Sequence, residues 1–213
     1  MKDIIRIGNG QGFWGDSIDA PVRLAKDGPL DYLTLDYLAE VTLSIMQRQK
    51  LKNPKAGFAH DFLDLIKRIL PEISEKGLKV ITNAGGVNPQ SCRNELIQLA
   101  QSSDSAMKIG VIQGDDIFPT LAELRTKGVT FENMDTGDSF DSIADKVYSA
   151  NVYINSITIA EALEKGAQIV LAGRVSDPGL ALGPCIYEFG WNSDNYDLLA
   201  AGTLAGHITQ WGA

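Results

Sequence analysis

Ile4-Ile5-Arg6-Ile7-Gly8-Asn9-Gly10-Gln11-Gly12-Phe13-Trp14-Gly15-Asp16 carries a short apolar run into four glycines, and Ser17-Ile18-Asp19 then offers a helix start. This pattern predicts a buried parallel strand over Ile4–Ile7, a tight loop at its carboxyl end and a helix returning across the sheet. In open α/β sheets, loops at the carboxyl ends of strands are where ligands sit. The opening therefore fixes both a fold class and a place to look for a site.

The same alternation continues along the chain. Apolar strands are expected at Ile4–Ile7, Tyr32–Asp36, Lys79–Asn83, Lys108–Gln113 and Gln168–Ala172. Helical periodicity covers Ser17–Lys26, Ala39–Gln49, Phe58–Glu75, Pro89–Gln101, Ile117–Thr126, Ser156–Glu164, Pro178–Glu188 and Tyr196–Gln210. Strands apolar along their length imply a sheet covered on both faces. The fold class is thus α/β: a mostly parallel sheet with helices on both faces and a strand-end ligand site. A partial (β/α) barrel gives the same alternation and stays as the alternative. Pro71 removes a hydrogen bond inside Phe58–Glu75, so a break is expected near Leu70. Gly128–Ser149 loses the periodicity and reads as a connection, with Thr130–Met134 as one more candidate strand.

A chain of 213 residues, 44% hydrophobic and 22% charged, can bury a full core, and residues 1–213 are read as one domain. The net charge of −8 excludes nucleic acid as an expected partner, because phosphate binding needs a basic surface. With no long apolar run and no basic-then-apolar leader, a cytoplasmic protein without a membrane partner is expected. Cys92 and Cys185 stand alone without metal-type spacing and are expected to be free thiols.

Chemistry concentrates at the predicted strand ends. Gly10-Gln11-Gly12-Phe13-Trp14-Gly15 matches G-x-G-x-x-G, and Asp36 lies where a ribose-binding acid would stand. Phe13 and Trp14 are bulky where backbone must approach a pyrophosphate, and Asp16 adds negative charge at the helix start. Gly10 and Gly12 are therefore assigned to substrate binding, with a plain capped glycine turn as the competing reading. Asp36 is a candidate general base, followed four residues later by Glu40, which helix-end charge alone would explain. Asn83 and the Gly85-Gly86 backbone could hold a ligand or an oxyanion, while Asn88 fits a helix cap. In Gly173-Arg174-Val175-Ser176-Asp177, the Arg174 fork suits a carboxylate or phosphate, Ser176 adds a hydroxyl and Asp177 a second candidate base. An Arg174–Asp177 pair that only fixes the loop is equally consistent with the sequence. His207, among small residues of the last helix, is a third candidate catalytic group. Asp16, Asp36 and Asp115 together could hold a divalent metal such as Mg²⁺, since all offer hard oxygen ligands. No H-E-x-x-H, C-x-x-C or G-x-S-x-G motif occurs.

These segments, in this order, resemble the N-terminal domain of the acyclic terpene utilisation (AtuA) family. The matching blocks are Gly8–Asp16, Leu30–Glu40, Val80–Pro89, Gly114–Asp116, Asn151–Ile154, Gly173–Trp191 and Leu199–His207. The resemblance implies a place in bacterial breakdown of citronellol- and geraniol-type terpenoids, which runs through CoA thioesters. Family members continue past the equivalent of Gly212-Ala213, which predicts an incomplete domain here, working as a homo-oligomer or with a complementing C-terminal chain. The residues and the resemblance together predict an enzyme domain acting on a small CoA-linked acyl substrate, terpenoid or branched, in a hydratase- or lyase-type step. A non-catalytic ligand-binding or partner subunit, and a nucleotide-binding oxidoreductase, are the alternatives.

Overall fold

A computed structural model describes residues 3–210. Five strands form one open, all-parallel sheet: β1 (Ile7–Gln11), β2 (Tyr32–Leu35), β3 (Lys79–Thr82), β4 (Ile109–Val111) and β5 (Ile169–Leu171), in the spatial order β1-β2-β3-β5-β4. An open sheet with β1 and β4 at its edges replaces the barrel alternative.

The helices are α1 (Asp19–Asp27), α2 (Glu40–Lys52), α3 (Asp61–Arg68), α4 (Leu70–Ser74), α5 (Pro89–Ser102), α6 (Leu121–Thr126), α7 (Ile157–Glu164), α8 (Gly179–Phe189) and α9 (Tyr196–Gln210). Strand side chains alternate between two faces, and both are buried. Leu33, Leu35, Val80, Ile169 and Leu171 pack with Val22, Phe62, Leu65, Cys92 and Leu96 from the helices before β4. Tyr32, Ile81, Val170 and Ala172 pack with Ile159, Leu163 and Leu180 from α7 and α8. Right-handed crossovers explain this division. The chain steps in one direction through β1, β2 and β3 with its helices on one face, then steps back from β4 to β5 with α7 on the other.

Two departures from the sequence reading have physical causes. The first strand lies three residues later than expected, because Gly8 and Gly10 belong to the strand itself. A Cβ at Gly10 would lie 2.6 Å from Pro21 Cβ and 2.8 Å from a Leu35 methyl, so these glycines let α1 approach β1 closely. Thr130–Met134 is not a strand; Phe131 has a φ of 51°, incompatible with extended backbone. Other boundaries move by a few residues. Phe58–Glu75 breaks at Ile69, where α3 ends and α4 begins with Pro71 in its first turn, as its proline requires. The expected Ile117–Thr126 helix divides into a 3₁₀ turn at Phe118–Thr120 and α6. Cys92 is buried, Cys185 is half-buried, and both are free. No helix among the described residues is long and apolar enough to cross a membrane. Gly212 and Ala213 lie outside the described residues.

Candidate functional site

Helices following β3 and β5 leave on opposite faces of the sheet although the strands are neighbours. That is the switch point at which open α/β sheets bind ligands. The strand-end loops carrying Asn83 and Arg174 flank it, and Asp36 and Asp115 follow the strands on either side.

Asp36 is only 2% exposed and sits at the centre of a polar cluster. Its Oδ1 accepts from Asn83 Nδ2 at 2.7 Å and from the Leu38 N–H at 3.1 Å. Its Oδ2 accepts from Gln210 Nε2 at 3.2 Å. Asn83 Oδ1 in turn accepts the Tyr37 N–H at 2.7 Å, so one amide clamps the ends of β2 and β3. Burial pushes the Asp36 carboxyl up to about 6, against the hydrogen bonds from Asn83 and Leu38 and with help from the Asp177 charge. A carboxylate so tuned can exchange a proton near neutrality.

Arg174 is 5% exposed, and its guanidinium is largely committed within the protein. Nη1 donates to Leu38 O at 2.9 Å, Val175 O at 3.2 Å and Asp177 Oδ1 at 3.2 Å. Nη2 reaches the Tyr153 hydroxyl at 3.3 Å and Glu40 Oε1 at 3.5 Å, and the Tyr153 ring lies 4.7 Å from the guanidinium carbon. Burial opposes the Arg174 charge, but Tyr153, Asp177 and Asp36 outweigh it and raise its pKa. Of the two readings left open by the sequence, the loop-fixing pair with Asp177 is present. A ligand anion would have to displace Glu40, which is 76% exposed at its side chain, or Asp177, at 41%.

Asp115 ties the β4 and β5 ends together. Its Oδ2 accepts the Arg174 N–H at 2.9 Å and Asn151 Nδ2 at 3.0 Å. Asp16 turns back on its own loop, with Oδ2 accepting the Gly12 N–H at 3.1 Å. Each of Asp16, Asp36 and Asp115 thus has its own hydrogen-bond partners. The described residues contain no group of three His, Cys, Asp or Glu side chains placed to hold a metal ion. The Mg²⁺ expectation for this triad therefore finds no geometric support. Gly85 and Gly86 form a buried turn rather than an open cradle. The Gly86 N–H donates to Asn83 O at 3.1 Å, and Gly85 packs against Pro89. Ser176 is half-buried at the turn into α8, where its carbonyl accepts the Gly179 N–H. His207 faces outward from α9; Gly202 and Gly206 take the buried side against α8 and its neighbouring turns. The structure thus gathers Asp36, Asn83, Arg174 and Asp177, places Gly10 within the neighbouring strand β1 and Gly12 on the turn that follows it, and leaves His207 outside.

A groove of about 530 Å³ runs along the outer edge of β1 between α1 and α9, and reaches this cluster through Gln11 and Gln210. Leu24 and Ile208 supply apolar wall, while Asn9, Gln11, Asp16 and Gln210 supply polar groups. The amide oxygens of Gln11 and Gln210 are buried without a hydrogen-bond partner among the described residues. Gln210 adjoins Asp36 through its Nε2, and Gln11 does so through its backbone carbonyl, which accepts the Asp36 N–H at 3.0 Å.

The model of the family described as acyclic terpene utilisation family protein AtuA matches residues 5–213. The chain belongs to the AtuA family. No curated protein and no solved structure matches it at a significant level. The family name places the AtuA-family chain in acyclic terpene utilisation. Sequence reasoning missed Gln11, Gln210 and Tyr153 as members of its polar cluster. For Gln210 a signal existed: it stands four and eight residues after Gly206 and Gly202, on one helix stripe, so it shares their buried side.

Proposed function

We propose that this chain is an enzyme domain for a CoA-linked acyl substrate of terpenoid or branched type, and that Asp36 is its acid–base group. The observation that carries this reading is a buried carboxylate with a pKa near 6 at the end of β2. It stands beside the sheet's switch point and against Gln210, whose amide oxygen is buried without a partner among the described residues. A hydratase- or lyase-type step moves a proton to or from carbon next to a carbonyl, and a carboxyl poised near neutrality suits that exchange. Asp36 Oδ2, which among the described residues accepts from Gln210 alone, is the oxygen assigned to it. Asn83 fixes the carboxylate's orientation through Oδ1. Arg174 and Asp177 set the local field.

One observation favours a second reading, a ligand-binding subunit without its own chemistry: both terminal nitrogens of Arg174 are engaged within the protein, leaving only its buried Nε without a partner among the described residues, and Asp36 is almost sealed. A dinucleotide fits less well, because the Asp16 carboxylate already takes the Gly12 N–H that a pyrophosphate would use. The test is a panel of branched and unsaturated acyl-CoAs, assayed for binding and for turnover. Asp36→Asn should retain binding and lose turnover. Turnover that survives in both Asp36→Asn and Arg174→Ala removes the assignment, and binding without turnover in the unmodified chain selects the second reading.

A further inference from the structure

The last helix is covered on one side only, although it is apolar nearly all round. In α9, one carboxylate (Asp197) and one imidazole (His207) accompany leucines, alanines, glycines and threonines, with no lysine or arginine. Gly202, Gly206 and Gln210 are its buried residues. The opposite side leaves Leu204 61% and Ile208 67% exposed, with Ala200 and Ala201 exposed beside them. A helix with such a composition is normally enclosed, and a contiguous apolar surface of this kind marks an interaction site.

We propose that this outer face of α9 is a self-association surface, closed in solution by α9 of a second copy running antiparallel to it. The placement of the two polar side chains selects that occupant. Asp197 and His207 stand equally far from Gly202, one towards each end of the helix. A two-fold axis through the helix midpoint therefore sets each carboxylate beside the second copy's imidazole. The same operation lays Leu204 over Ala200 and Ala201. Such an isologous contact matches large side chains to small ones, and the alanines allow the axes to approach to about 8 Å. A parallel copy would oppose Asp197 to Asp197 and leave both imidazoles unmatched. Association would also hold the carboxyl end of α9, and with it Gln210, against Asp36.

Sedimentation equilibrium or light scattering on the full chain tests this. A dimer is expected by about 200 µM, the range suited to a contact of modest area. Leu204→Glu should weaken it by at least about 30-fold, the scale of a central interface residue, without changing the circular dichroism spectrum. Asp197→Lys should weaken it as well, and Asp197→His with His207→Asp should restore it. Ala201→Cys, close to the axis, should form a covalent dimer under mild oxidation, whereas Lys127→Cys should not. A monomer at the highest concentration, or a dimer indifferent to Leu204→Glu and lacking the Ala201→Cys cross-link, overturns the proposal.

Discussion

Replacing Asp36 by Asn should make the protein more stable at neutral pH, and the gain should vanish in acid. The native carboxyl titrates near 6 against an ordinary value of 3.8, so keeping it charged in the folded state costs about 3 kcal/mol above pH 6. The sign follows from proton binding. Between those two values the folded chain holds a proton that the unfolded chain has released, so the contribution of Asp36 to stability is greatest below about 4 and falls as pH rises through 6. Asparagine cannot ionise. Its Oδ1 still accepts from Asn83 and Leu38, and its new Nδ2 faces Gln210, whose amide can turn to present the oxygen that now lacks a partner. The expected gain approaches 3 kcal/mol at pH 7.5, equivalent to roughly 6–12 °C in Tm for a chain of this size. It should shrink to near zero at pH 4. Urea denaturation at half-unit steps from pH 4 to 8 reads this directly, with an unchanged m-value as the check on two-state behaviour. An Asn variant less stable than the parent at pH 7.5, or a difference that does not vary with pH, would refute the burial argument for Asp36.

Three further substitutions probe the scaffold. Gly86 has a φ of 53°, and a Cβ there would lie 2.7 Å from Gly57 O, so Gly86→Ala should cost more than about 2 kcal/mol in urea denaturation. Gly77→Ala shares the positive φ of 74° but meets nothing within 4 Å, so it should cost only about 1 kcal/mol; equal costs would remove the packing argument. Arg174→Lys keeps the charge but cannot span Leu38 O, Val175 O and Asp177, and should lose about 2–4 kcal/mol by the same assay. A loss below about 0.5 kcal/mol would mean the fork is not fixing the loop.

The strand ends were legible because a polar residue closing an apolar run has little other purpose. Asp36, Asn83 and Arg174 were picked out in this way, and they are neighbours in space. Strand order was not legible: nothing local in Lys108–Gln113 says that β5 will insert between it and β3. The glycines of β1 misled for a related reason. Glycine marks a loop when φ must be positive, but Gly8 and Gly10 are needed for close approach by Leu24, Leu30 and Pro21, which only tertiary contacts reveal. Arg174 shows a third limit. The sequence offers a guanidinium at a strand end, but whether it faces a ligand or its own loop depends on Leu38, Glu40 and Tyr153, all remote along the chain.

Asp115 and its partners also decide how freely the neighbouring excursion can change. The chain leaves β4 and returns before α7 through a closed neck: Asp116 bridges Asn151, the Ile117 N–H donates to Ala150 O, and the Val152 N–H donates to Asp115 O. Beyond that neck, residues 118–149 make no strand of the sheet. Lengthening a loop whose ends are already pinned costs only about 0.6 kcal/mol per doubling. The segment is therefore a natural port for insertion, where length and sequence can drift, or a reporter can be spliced, while the polar cluster behind the neck keeps its geometry.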